Sequence, residues 1–187
     1  MKKFITFLPR LITFGLICCL TSCADVPTRV DSKLTDYPTK RINSLIIWHM
    51  QGVEQNDWHT KEYLPEFVKS LVKNLDKEGI TSKTITTAKL SLRTPQDEVN
   101  EYVQKTGLTN VLKIYITNVS TVKSGSSSTT FFQIKIDIIN FIDNHSLWEA
   151  TVFPGWSSNI LFSSNDSIES VALALFNKLQ ADGVLHL

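Results

Sequence analysis

The period at which apolar residues recur changes several times along this chain, and each change marks an element. Ser44-Leu45-Ile46-Ile47-Trp48 is an apolar run of strand length that ends near Gly52. Beyond it, Tyr63, Leu64, Phe67, Val68, Leu71, Val72 and Leu75 recur at alternating one- and three-residue steps, which makes one apolar helix face. Thr60 is the expected N-cap, Pro65 lies near the first turn, Lys69, Lys73, Asp76 and Lys77 fill the other side, and Gly79 supplies a left-handed stop. Thr81 to Thr87 reads as a short, threonine-rich strand. Thr94-Pro95 then opens a second, shorter helix with Val99, Tyr102 and Val103, closed by Gly107.

From there the period falls to two. Val111 to Val122 and Thr129 to Ile142 alternate, with Leu112, Ile114 and Ile116 making one apolar face and Phe132, Ile134, Ile136 and Ile138 another. The low-complexity patch Ser124-Gly125-Ser126-Ser127-Ser128 between them predicts a hairpin. Asp143-Asn144-His145-Ser146 is a turn by composition, and Leu147 to Phe153 a further strand. A final helix starts near Asp166, with Glu169 completing a capping box. It turns Ile168, Val171, Ala172, Leu175, Phe176 and Leu179 to the sheet and ends at Gly183. The order β-α-β-α-β-β-β-α implies one α+β domain over residues 42–187, a two-layer fold of about five mixed strands with helices on one face.

The amino terminus follows another pattern. Lys2 and Lys3 precede an apolar stretch from Phe4 to Leu20, whose uninterrupted part, Leu11 to Leu20, is about half of the roughly 20 residues a spanning helix requires. This is a signal-peptide pattern rather than a permanent anchor. It ends in Leu20-Thr21-Ser22-Cys23, which resembles the bacterial lipobox: an aliphatic residue, two small residues, then cysteine. The resemblance implies that residues 1–22 are removed by cleavage between Ser22 and Cys23. It implies too that Cys23 receives diacylglycerol on its thiol and a further acyl chain, such as palmitate, on its new α-amine. Cys18 and Cys19 lie inside the apolar run and leave with the peptide. Multiple chains anchor a protein stably without a transmembrane helix. Ala24, where inner-membrane lipoproteins carry Asp, implies transfer to the outer membrane with the domain facing the periplasm, although Asp25 stands where some bacteria read retention.

Residues 24–41 are polar and proline-containing, with only Val26, Val30, Leu34 and Tyr37 apolar, and so read as a tether. Its roughly 17 residues span about 55 Å extended or about 24 Å as a flexible coil.

Removing Lys2, Lys3 and Arg10 lowers the 19 basic residues to 16 against 18 acidic ones, a balance that suggests no nucleic-acid partner. No cysteine follows Cys23, so disulfides within the domain, cysteine-based zinc sites and thiol redox chemistry are excluded. Trp48-His49 and Trp58-His59 flank a polar loop with Glu54, Asn56 and Asp57. With Glu62 these include acceptable metal ligands, yet their spacing matches no zinc or calcium signature, and the expectation is packed tryptophans with histidines at the solvent edge and no metal. No Gly-x-Ser-x-Gly motif, phosphate loop or dinucleotide fingerprint is present. His145 and His186 have no evident positioned partner, and the acids look scattered over helix faces, so neither an enzyme nor a cofactor is expected.

One segment resists a solvated reading: Phe153, Trp156, Ile160, Leu161 and Phe162 crowd a stretch broken by Pro154, Gly155 and serines. It either folds back over the sheet or presents Phe153, Trp156 and Phe162 to a partner. The long strand, Asp-containing turn and Leu147-Trp148-Glu149 from Ile134 to Phe153 resemble the hairpin of small lipoproteins of the TolB amino-terminal-domain and LpoB-like fold. That resemblance implies a binding module. The expectation is therefore a lipid-anchored envelope lipoprotein serving a protein partner. The alternatives are a carrier with an enclosed apolar cavity and a small periplasmic enzyme with a pocket of converging polar groups.

Overall fold

The computed structural model of the protein describes residues 28–36, 42–50, 58–87, 94–124, 127–154 and 165–185. Within them the chain runs β1 (Arg29–Leu34), β2 (Ser44–Met50), α1 (Trp58–Lys77), β3 (Thr81–Thr87), α2 (Pro95–Thr106), β4 (Asn110–Ser124), β5 (Ser127–Asn140), β6 (His145–Phe153) and α3 (Asn165–Ala181). The strands form a single sheet in the order β1-β6-β5-β4-β2-β3. β2 pairs in parallel with β3 and β4, and the remaining pairs are antiparallel. The α+β class and the order of elements from β2 onward follow the sequence pattern.

Helix ends obey their local chemistry. Gly79 and Gly183 adopt φ of 73° and 71°, and the next residue's amide returns five residues, Ile80 to Leu75 and Val184 to Leu179. Each is a Schellman motif whose flanking apolar pair is buried. Thr94 caps α2 through a reciprocal box with Asp97. α1 starts at Trp58, two residues before the expected cap, so Pro65 lies in its second turn.

Alternation decides the core. Leu45 and Ile47 of β2, Leu112 and Ile114 of β4, Ile134, Ile136 and Ile138 of β5, and Trp148, Ala150 and Val152 of β6 share one sheet face. Phe67 and Leu71 of α1 and Val171, Leu175 and Leu179 of α3 cover it. The expected placement of all helices on one face holds only for α1 and α3. Val99 and Val103 of α2 bury Ile46, Trp48, Val111 and Phe141 on the reverse side. The reason is topological. β3 and β4 flank β2, so the β2-α1-β3 and β3-α2-β4 crossovers pass in opposite directions, and right-handed crossovers then fall on opposite faces.

That arrangement also corrects the expectation for His49. As a residue of a central strand covered on both faces, it is 3% exposed rather than at a solvent edge. Its Nε2 lies 2.6 Å from the Thr86 hydroxyl, its Nδ1 has no hydrogen-bond partner, and burial lowers its pKa.

The sheet has six strands rather than about five, because Arg29–Leu34, within the expected tether, is an edge strand on β6. Val30, Ser32 and Leu34 are half-buried and alternate with exposed Arg29, Asp31 and Lys33. The middle inward position is polar, and its partner lies far along the chain. The Ser32 hydroxyl donates to Asp182 Oδ2 at 2.5 Å, the indole N–H of fully buried Trp148 donates to the same oxygen at 2.9 Å, and Lys178 Nζ lies 2.8 Å from Oδ1. Burial alone would raise the Asp182 carboxyl, but the three hydrogen bonds outweigh it and hold it below its ordinary value.

Replacing Asp182 with Ala leaves the Trp148 N–H without its acceptor and is expected to cost roughly 1.5–3 kcal/mol in urea denaturation. The native carboxyl sits below its unfolded value, so its contribution is present above about pH 4, fades under acid, and should be missing from the variant's pH profile. His49 acts at higher pH. Below about pH 6.5 the unfolded chain gains a proton that the buried imidazole resists, so stability falls with pH. A His49→Gln variant should show a flatter dependence of its urea midpoint between roughly pH 5 and 7, and a wild-type slope there would contradict this.

Candidate functional site

Where α2 does not reach, the reverse face of the sheet carries the side chains that alternate with the core. Register lines them into a row across all six strands: Lys33, Glu149, Asp137, Lys113, Trp48 and Ile85. Asp31, Thr151, Lys135 and Tyr115 form the row beside it. Two carboxylates directly opposite each other repel, and here Glu149 and Asp137 are bracketed by Lys33 and Lys113 on the flanking strands β1 and β4. The pattern is cation, anion, anion, cation.

The half-buried Asp137 carboxyl is raised above its ordinary value, first by burial and then by the charge of Glu149, while Tyr115, Lys135 and Lys113 oppose the rise. Tyr115 donates its hydroxyl to Asp137 at 3.3 Å. Its own pKa is raised by burial and by the same carboxylate. Lys113 Nζ lies 5.3 Å from the Trp48 ring centroid and 5.5 Å from that of Tyr115. Among the described residues these groups stand side by side on one sheet face, an arrangement suited to meeting a facing surface. Such an arrangement supplies charge complementarity and register for binding.

At one end of this face the hairpin outruns its neighbours. β6 pairs with β5 only from Ile134 onward, and β2 with β4 only up to Ile114, so the rest of β4 and β5 continues as a two-stranded ribbon. A bulge between Thr117 and Ser120 marks its base, with Asn118 in the left-handed region at φ 52° and its side-chain Nδ2 donating to Gln133 Oε1 at 2.7 Å. An open groove of about 540 Å³ lies there, lined by Phe131, Phe132, Phe153 and Pro154 together with Asn118 to Ser120 and Gln133. The Arg29 guanidinium stands 4.2 Å from the Phe153 ring centroid.

Of the residues singled out in the sequence, Phe153 lines this groove, half-buried, while Trp156, Phe162, Ser22 and Cys23 lie outside the described residues. Of the two Trp-His pairs, only the first has described side chains. Trp48 and His49 are neighbours on one strand and point to opposite faces, and the side chains of Trp58 and His59 are outside the described set. His145 does have a partner, contrary to expectation: its Nε2 lies 3.2 Å from Asp36 Oδ2, an exposed contact that contributes little. Among the described residues no three metal-ligating side chains cluster, and no described helix is long and apolar enough to cross a membrane. Nothing local in the sequence marks the row from Lys33 to Lys113, because each member is an ordinary polar strand residue. The signal is their shared parity, which becomes a site only once the register is known.

No protein-family model and no curated protein sequence matches the chain. Solved structures do share its fold. A single-residue variant of the PelC dodecamer from Paraburkholderia phytofirmans superposes with a TM-score of 0.52 at 15% identity, covering 79% of this chain and 95% of that one. The PelC dodecamer in another crystal form gives 0.51 at 11% identity, with the same coverage. A Neisseria meningitidis lipoprotein gives 0.44 at 16%, covering 74% of this chain and 98% of that one. At these identities the PelC likeness establishes that the described topology is an existing fold, and nothing beyond the fold.

Proposed function

We propose that this chain is a lipid-anchored envelope lipoprotein, held through Cys23 to the outer membrane on its periplasmic side, whose domain binds a protein partner. The observation that carries the binding role is the charged sheet face from β1 to β4, over which no helix packs among the described residues. The opposite face is closed by α1 and α3, whereas this one presents Lys33, Glu149, Asp137 and Lys113 at fixed spacing. The space between α1, α3 and the sheet is filled by fully buried side chains such as Phe67, Trp148 and Leu175, which favours a binding surface over a carrier. The activity proposed is recognition, without chemistry and without a cofactor.

A second reading has its own support: the PelC structures are dodecamers, and β1 and β3 are the outermost strands of the sheet among the described residues, so the partner would be another copy of this chain.

A photo-crosslinking residue placed at Lys135 or Thr151 of the full lipoprotein in its own envelope should give one discrete adduct, and one at Lys69 on the exposed side of α1 should not. An adduct twice the mass of the chain selects the second reading. Equal labelling from both faces would contradict the surface assignment. Mass spectrometry of the amino-terminal peptide from the same material tests the anchor, because recovery of unmodified Thr21-Ser22-Cys23 excludes it.

A further inference from the structure

The start of β1 determines which part of the domain meets the bilayer. Five residues, Ala24 to Thr28, separate Cys23 from Arg29. Six Cα steps reach at most about 20 Å, and as a flexible coil about 14 Å. The long tether expected from composition is therefore not available to the domain.

Strand directions then show what lies on the anchor's side. Arg29 is opposite Phe153, one residue beyond the Val30, Val152 and Ile134 alignment. β1 and β5 are both antiparallel to β6, so the chain enters β1 at the same end as β5 begins. Ser127 to Phe132 and their β4 partners thus extend past Arg29 in the direction from which the chain arrives. Six strand residues span about 20 Å. The ribbon reaches as far as the fully extended tether and further than its relaxed length.

We infer that the β4–β5 ribbon and the aromatic groove at its base dock the domain on the lipid surface that carries its own anchor. This rests on the lipoprotein reading of Cys23. The surface has the chemistry for it. From Tyr115 to Gln133 the chain contains no acidic residue and one lysine, Lys123, which is exposed. Val122 is 57% exposed, most other residues from Thr117 to Thr130 are serines and threonines in the sequence, and Phe131, Phe153 and Arg29 stand at the base. Cationic heads over aromatic rings suit the boundary between phosphates and acyl chains. The charged row of Lys33, Glu149, Asp137 and Lys113 lies farther from the anchor and stays open to a partner.

No cysteine follows Cys23, whose thiol is occupied in the acylated protein, so one introduced cysteine is the sole free thiol. Val122→Cys on the ribbon and Ile142→Cys at the opposite end of the sheet, where Ile142 is 70% exposed, place an environment-sensitive fluorophore at sites roughly 35 Å apart along β5. The acylated protein is reconstituted in phosphatidylethanolamine–phosphatidylglycerol vesicles containing headgroup-region nitroxide lipid. The label at 122 should be strongly quenched and that at 142 unaffected. Protein that does not float with the vesicles overturns the anchor and this inference together. Protein that floats with an unquenched label at 122 overturns the docking alone. Self-quenching between labels at 122 without lipid quenching also overturns it, showing that the ribbon meets a second copy instead.

Discussion

The carboxylate of Asp182 holds together the parts of the molecule that decide how it meets its surroundings. It sits just past the end of α3, where the Gly183 turn fixes its position, and accepts hydrogen bonds from Ser32 on the edge strand and Trp148 in the core while pairing with Lys178. Hydrogen bonds to an ionised acceptor are stronger than neutral ones, and this one also satisfies the only polar atom of the Trp148 side chain. Ser32 thereby occupies an inward position that an isolated polar hexapeptide would have no reason to adopt. Through it a segment of tether composition becomes part of the sheet.

Two consequences follow for function. With β1 in place, Lys33 joins Glu149, Asp137 and Lys113, and the pair of opposed carboxylates gains a cation on its outer side. The same strand leaves five residues between itself and Cys23, so under the lipoprotein reading proposed above it sets which end of the domain lies toward the anchor. The proposed binding face and the proposed membrane-proximal end are thus separate regions of one sheet, and both depend on an edge strand that contributes only six residues.

Much of this was legible beforehand. Helical spacing from Tyr63 to Leu75, the glycines at 79, 107 and 183, and the Thr94-Pro95 cap are local signals whose meaning needs no knowledge of distant residues. The rest depends on long-range pairing. Ser32 reads as polar because its partner is 150 residues away. His49 reads as an edge residue because an apolar run followed by histidine does not reveal whether its strand is central. Lys113, Asp137 and Glu149 read as solvated positions because strand alternation gives parity but not register. Of the aromatic stretch beginning at Phe153, only Phe153 and Pro154 fall among the described residues, and both line the groove at the ribbon's base.

The central claim is that Arg29–Leu34 belongs to the sheet and not to a tether, and amide hydrogen exchange on the acylated protein tests it most directly. The account predicts that the β1 amides bonded to β6 exchange far more slowly than an unstructured peptide of the same sequence. Exchange of every amide from Val30 to Leu34 at the unstructured rate would contradict it.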